Sequence, residues 1–529
     1  LILALALPAP ALAGDLTAYV RARAADADGA VDVAAAGYAD ALASAPDSEV
    51  VAIRAYREAL AAGDLPLARR AASVLLRAKV APPDTAILGF ADALHAKDLP
   101  AAAAAAEAIA AGPLDFMAPV LRAWLAFDAG QDPLPLLDPP VTDKTGGGTL
   151  ANRFAAEHRA LLQIATGQVD AGIAGLRVSV GADQGSLDLR LNAALLLAGK
   201  GRKDVAQALL QGPDPMLADV RARIGRGVKP SAAFGAARLF TRLAADLAHE
   251  ETQPLSILLA RAALLLDSQD DNARILLADS LSRDGSHAQA LAVLGQIGPR
   301  SLFARPANAN RVTILTRAGR PADALAHARA LYETRGAGPE DAERYADLLV
   351  SDGAYTEAAA IYAGVMADGG DNGWVMHLQR GGALEQAGRW DEARPLLQRA
   401  VELAPEQPVA LNYLGYALVE RGEDMAKAQS LLERASRLRP DDPAITDSLA
   451  WAYFKNGDPA RAVPLLEKAA AAQPGDTTIN EHLGDAYWRV GRRYEARYAW
   501  KAASVYADAG DEAARIAAKL ADGLKTAAN

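Results

Sequence analysis

The chain has 529 residues, 51% hydrophobic, 5% aromatic and 23% charged, with no cysteine, which excludes a disulfide scaffold, a thiolate metal site and a cysteine nucleophile. So few aromatics suit small-residue helix packing in an elongated array better than several bulky cores. Lys+Arg 55 against Asp+Glu 65 gives a formal charge of -10, and no nucleic-acid partner is expected, because holding a phosphate backbone by counterion release needs surplus cations.

The first residues form an apolar stretch ending in Ala11-Leu12-Ala13 before Gly14. Small residues at the first and third of those places match an export-peptidase cleavage site. The segment therefore predicts a signal-peptide remnant over 1–13, cleavage after Ala13 and a periplasmic mature chain. Lipid modification would need Cys at position 14, where Gly stands. Past residue 13 no run reaches the roughly 18 uninterrupted apolar residues that span a bilayer, so no transmembrane helix is expected.

Helical hairpins are then predicted over 14–230, punctuated by turn residues at Gly29, Gly63, Lys97, Gly130, Gly167 and Gly201. The first two are 34 apart, and the Gly29 unit has Ala34, Tyr38, Ala41 and Pro46 at matching offsets. Pro133 to Thr149 holds four prolines and three consecutive glycines, which predicts a long loop. Between Gly201 and Glu251 the spacing widens to 50, with Pro213, Pro215 and Pro230 inside it. A joint between two solenoid segments is expected there, with the boundary near residue 230. From 231 to 529 the rhythm returns, with turn residues Glu251, Gly285, Gly319 and Gly353 each 34 before the next and small partners at Ser256, Ala290, Ala324 and Ala358.

The last third is the most regular. Gly381, Gly415, Ala450 and Gly484 follow one another at steps of 34, 35 and 34, and a second glycine follows each seven later, at Gly388, Gly422, Gly457 and Gly491. Small residues recur at Ala393, Ala428, Ala462 and Ala496, then at Ala400, Ala435, Ala469 and Ala503; Pro405, Pro440 and Pro474 close three units. A small residue where two helices cross lets their backbones approach, glycine ends the first helix in a tight turn, and proline stops the second. The pattern resembles the tetratricopeptide repeat, clearest at Asn412-Tyr413-Leu414-Gly415, at Ser448-Leu449-Ala450 with Tyr453, and at His482-Leu483-Gly484 with Tyr487. The resemblance implies an all-α superhelical solenoid of about fourteen hairpins in two segments. Residues 511–527 would be its solvated capping helix, since an open solenoid end exposes a stacking face.

A solenoid of this kind leaves a concave groove lined by the first helix of each pair, where peptides or partner domains dock. In the repeat's register, positions one and four after the crossing residue face that groove: Tyr416 and Val419, Trp451 and Phe454, Asp485 and Trp488. Four of these six are aromatic in a chain with 5% aromatics, and exposed aromatics on a soluble surface usually mark a contact. Asn412, Asp447 and Glu481, one turn earlier, supply a polar edge. The Asn is suited to hydrogen-bonding an extended peptide backbone. The two carboxylates argue against a clamp for a free C-terminal carboxylate, which wants cations.

Catalysis and cofactors are not expected. The seven histidines stand at 95, 158, 249, 287, 327, 377 and 482, so none forms the i, i+4 pair of a helical zinc site. Gly146-Gly147-Gly148 follows Lys144, whereas a phosphate cradle has its lysine after the glycines. No Gly-x-Ser-x-Gly nucleophile turn occurs. Arg489, Arg492, Arg493 and Arg497 make a small basic edge, expected as a solvated face.

From Leu411 to Trp500 the sequence looks like the C-terminal repeats of bacterial envelope tetratricopeptide proteins, among them the outer-membrane lipoprotein that activates a C-terminal-processing serine protease and brings it substrates. The close similarity is confined to the C-terminal quarter of the chain. It implies a periplasmic adaptor whose partners are an envelope serine protease and its substrates. The alternative is a structural assembly factor for an envelope secretion or polysaccharide-export complex.

Overall fold

The computed structural model describes residues 12–138, 148–179, 184–212, 215–247, 252–367 and 373–524. The signal-peptide segment up to residue 11 lies outside them, as do residues 139–147 of the expected loop and Glu251. Among the described residues all regular structure is helical, in 29 α-helices and two short 3-10 turns, so the chain is an all-α helical-repeat solenoid. The chain divides into two compact units, one ending at Ala324 and one beginning at Leu325.

The first unit runs α1 (Leu12–Ala27), α2 (Val31–Ser44), α3 (Glu49–Ala62), α4 (Leu65–Ala78), α5 (Thr85–His95), α6 (Leu99–Ala110), α7 (Ala118–Asp128), α8 (Gly148–Thr166), α9 (Val169–Ser179), α10 (Gln184–Gly199), α11 (Lys203–Leu209), α12 (Pro215–Arg223), α13 (Ala232–Leu247), α14 (Gln253–Leu266), α15 (Asp271–Arg283), α16 (His287–Leu294) and α17 (Ala304–Arg317). The division falls inside α18 (Pro321–Tyr332). The second unit continues with α19 (Pro339–Ser351), α20 (Tyr355–Ala367), α21 (Trp374–Gln386), α22 (Trp390–Leu403), α23 (Pro408–Arg421), α24 (Met425–Leu438), α25 (Pro443–Lys455), α26 (Pro459–Ala472), α27 (Thr477–Arg489), α28 (Arg493–Tyr506) and α29 (Asp511–Asp522).

The turn residues explain why the helices stop where they do. Every expected turn position among the described residues is left-handed, from φ 60° at Lys97 to 99° at Gly167. Glycine takes that conformation without a Cβ clash, so it punctuates the repeat; Lys97 adopts it at a steric cost. In the second unit Asp442, Asp458 and Asp476 each accept a backbone N–H at the start of the next helix, which fixes the other end. The crossing glycines are needed for packing: a Cβ on Gly415 would fall 2.7 Å from Leu432, and one on Gly484 would fall 2.3 Å from Trp500. Opposite them Ala393, Ala428, Ala462 and Ala496 are completely buried.

The boundary expected near residue 230 falls inside the first unit. There α13 and α14 pack against α3, α5 and α7. Trp124 on α7 is fully buried, edge-on to Phe234 at 5.8 Å, and a Cβ on Gly235 would lie 2.1 Å from its indole. Phe90 meets Phe240 edge-on at 6.2 Å. Arg261 donates from Nε to the Leu60 carbonyl at 2.9 Å and from Nη2 to that of Ala61 at 2.6 Å, and Gln289 donates to Ala62 at 2.9 Å. These bonds cap the last carbonyls of α3, which have no partner within their own helix. The apolar side chains of α13 and α14 thus bury against hairpins far earlier in sequence.

Candidate partner-binding groove

The first helices of successive pairs, α23, α25 and α27, supply the eight candidate residues, and α29 continues their row at the end of the chain. A step of one repeat brings equivalent positions face to face. Glu481 on α27 is met by Arg515 on α29, with Nε and Nη2 each 2.7 Å from a carboxylate oxygen, and by Lys519 at 2.7 Å. Asp485 accepts from Lys519 at 2.6 Å and from the Trp500 indole N–H at 2.9 Å. Both carboxylates are buried. Ile516, also on α29, is completely buried and Leu520 packs partly buried beside the same core, so the capping helix is docked by apolar contacts and two cations.

One repeat earlier, His482 Nδ1 lies 3.0 Å from both Asp447 carboxylate oxygens. Its ring stacks on the Trp451 indole at 3.7 Å, and Phe454 stacks on the same indole at 4.7 Å. The Trp451 N–H donates to Glu420 at 2.5 Å. Trp451 is therefore only 7% exposed, its N–H paired and its ring stacked against both His482 and Phe454. Trp488 is half-buried, with Arg493 over its ring at 3.9 Å and Gly523 so close that a Cβ there would lie 2.0 Å from the indole.

The electrostatics follow from this pairing. Burial pushes the Glu481 carboxyl up, but the hydrogen bonds from Arg515 and Lys519 outweigh it and bring the pKa down to about 2. Asp485 shares Lys519 and receives the indole N–H, yet burial leaves it above the ordinary value. The Tyr416 phenol is raised by burial and then by the charges of Glu420, Asp447 and Glu481 around it. An anion placed beside Tyr416 would meet the same field.

The structure brings all eight residues onto one face, but it does not leave them equally open. Asp447, Trp451, Glu481 and Asp485 are buried and engaged in contacts between successive repeats, and so is Val419. Trp451, expected as an open docking platform, is sealed within the stack because His482 from the next repeat lies across it. The accessible remainder is Asn412, Tyr416, Phe454 and Trp488, all half-buried, with Glu420 exposed next to Tyr416 on α23. The Asn412 side-chain oxygen is buried without a hydrogen-bond partner. Such a group is uncommon in a folded protein and marks a place where a donor is missing. His482 follows Glu481 on the same helix as an ordinary groove or surface residue by sequence, but is buried against Asp447 and Trp451; Arg515 and Lys519 belong to a helix expected to be solvated. The signal for the two cations is in the sequence: Arg515 stands one repeat step after Glu481, and Lys519 the same step after Asp485.

Two family profiles, both described as Tetratricopeptide repeat, match residues 384–452 and 443–486. Residues 384–486 are tetratricopeptide repeats. They contain every candidate groove residue except Trp488. Repeats of this family bind protein or peptide partners, which supports a protein-binding scaffold in general. Among solved structures, a tetratricopeptide repeat protein from Parabacteroides merdae is 17% identical, covering 46% of this chain and 95% of its own, with a TM-score of 0.40. YrrB, a TPR protein with an unusual peptide-binding site, is 21% identical over 33% of this chain and 88% of its own, with a TM-score of 0.27. The thermophilic TPR protein TTC0263 of Thermus thermophilus is 21% identical over 35% of this chain and 100% of its own, with a TM-score of 0.31. No curated protein matches the chain. Among the described residues no helix is long and apolar enough to cross a membrane.

Proposed function

We propose that the chain is an exported, periplasmic adaptor whose second unit holds an extended segment of a partner protein against α23 and α25. The supporting observation is the Asn412 side-chain oxygen, buried and without a donor, beside the half-buried rings of Tyr416 and Phe454. Rotation of the half-buried Asn412 side chain would present that oxygen to a peptide backbone N–H, and the two rings would cover apolar side chains of the same segment. Glu420 and Asp447 near Tyr416 favour a neutral or basic segment over a free carboxylate end. The resemblance over Leu411 to Trp500 to envelope adaptors supports a C-terminal-processing protease, or a substrate presented to it, as the partner.

The test is affinity capture from an envelope extract with the full chain and with Asn412→Ala and Tyr416→Ala. A processing protease or its substrates held by the parent chain and lost in both variants is the expected result. Capture of a secretion or polysaccharide channel would replace the protease reading with an assembly role. Equal capture by the variants would remove the groove from the account.

A further inference from the structure

The first unit contains a cavity of about 470 Å³, lined by residues of that unit alone. It opens among α8, α10, α13, the turn leading into α15, and residues 300–303, with Leu161, Leu189 and Phe303 among its apolar walls. The volume lies in the range of ligand pockets, and such pockets combine apolar walls with a few convergent polar groups. Its charged lining is paired unevenly. Arg238 is closely paired through its Nη atoms, with Asp270 at 2.5 Å and also with Asp267, although its Nε is buried without a hydrogen-bond partner.

Arg242 is held more loosely. Its side chain is 14% exposed, and its two carboxylate neighbours, Glu157 and Asp246, stand at 3.8 and 3.4 Å. The Arg242 Nε is buried with no hydrogen-bond partner. Asp188 is the counterpart of opposite sign. Its one hydrogen bond among the described residues comes from the neutral Asn272 amide at 3.0 Å. The fields of Arg238 and Arg242 reach it, but neither forms an ion pair with it, and burial raises its carboxyl to about 6. A buried charge without a full complement of partners is costly, so both groups would gain from an occupant.

We propose that this cavity binds a small zwitterion of the amino-acid or short-peptide class, its ammonium received by Asp188 and its carboxylate by Arg242. The leucine-rich wall accommodates an apolar side chain between the two charged ends.

The test is calorimetric titration of the full chain with L-leucyl-L-leucine, its N-acetyl form and its C-terminal amide. Each blocked form removes one charge, and each should bind roughly tenfold weaker or worse, the worth of one charge-assisted hydrogen bond. In Asp188→Asn the free and N-acetyl peptides should bind alike; in Arg242→Gln the free and amidated peptides should bind alike. Absence of binding by the free dipeptide at millimolar concentration, or equal binding of all three peptides to the parent chain, overturns the proposal. Should a variant fail to fold, the three-peptide comparison on the parent chain decides alone.

Discussion

The two units solve one packing problem in different ways. In the second, the contacts that shape the groove join residues about one repeat apart: 31 for Trp451 with Glu420, 34 for Arg515 with Glu481, 35 for His482 with Asp447. In the first, the bonds that close the unit join residues 104, 170, 201 and 227 apart, as in Ala232 with Asp128, His95 with Leu265, Arg261 with Leu60 and Gln289 with Ala62. Nearest-neighbour stacking makes an array that can fray from its end, whereas long closures make a unit that unfolds together. It also leaves the faces of α23 and α25 as the surface on offer in the second unit, while α13 and α14 cover the corresponding helices of the first.

The first unit is most vulnerable at Trp124, which is fully buried. Trp124→Ala should cost the first unit about 3–5 kcal/mol, the usual range for emptying a large buried aromatic site. Denaturant unfolding followed by circular dichroism should then show one transition moved to lower denaturant and a second left in place. A single transition that shifts as a whole would mean that the units are not separable in stability.

Next in size is Lys519→Ala, which leaves Glu481 and Asp485 buried with one fewer cation and should weaken the last repeat by about 3 kcal/mol. Hydrogen exchange should accelerate through α27 to α29 and leave α23 unchanged, as an array that frays from its end requires. Acid probes the same cap without mutation. Glu481 is held at about 2, below its ordinary 4.5. Its contribution is complete above about pH 4.5 and is lost as the pH falls towards 2. Asp485 works in the opposite sense, since burial raises it and protonation relieves that penalty, so the net loss is less than Glu481 alone would give. Because Gly523 lies against Trp488, undocking should appear as a red shift of indole fluorescence between pH 4.5 and 2.5. No shift in that window would mean that the cations of α29 do not hold it.

The smallest change in stability is expected at Asn412. Asn412→Ala removes a buried acceptor that has no partner, so stability should stay within about 1 kcal/mol or rise slightly, while partner affinity falls roughly tenfold. A variant that unfolds more easily and binds as before would show that the side chain serves packing alone.

The hairpins were legible because their punctuation is local. A glycine recurring once per repeat specifies a left-handed turn wherever it occurs, and the alanines of the second helices mark the crossing points without knowledge of the rest of the chain. The sealing of Trp451 was not legible from a single repeat. The register says from which side of α25 the indole leaves, but not that His482 of the following repeat lies over it. The docking of α29 was half legible, since Arg515 and Lys519 repeat the spacing of Glu481 and Asp485 with the charge reversed. The closure of the first unit left no periodic mark at all. Its partners, such as His95 with Leu265 and Gln289 with Ala62, are joined by burial and carbonyl capping, and neither has a spacing to recognise.

The most direct test is a photo-crosslinking amino acid placed at Tyr416 in the groove and, in a second chain, at Tyr494, which is 82% exposed on α28. After illumination with the captured partner, covalent adducts should form through position 416 and not through position 494. Adducts through 494 alone, or equally through both, would contradict the assignment of the α23 and α25 face as the docking surface.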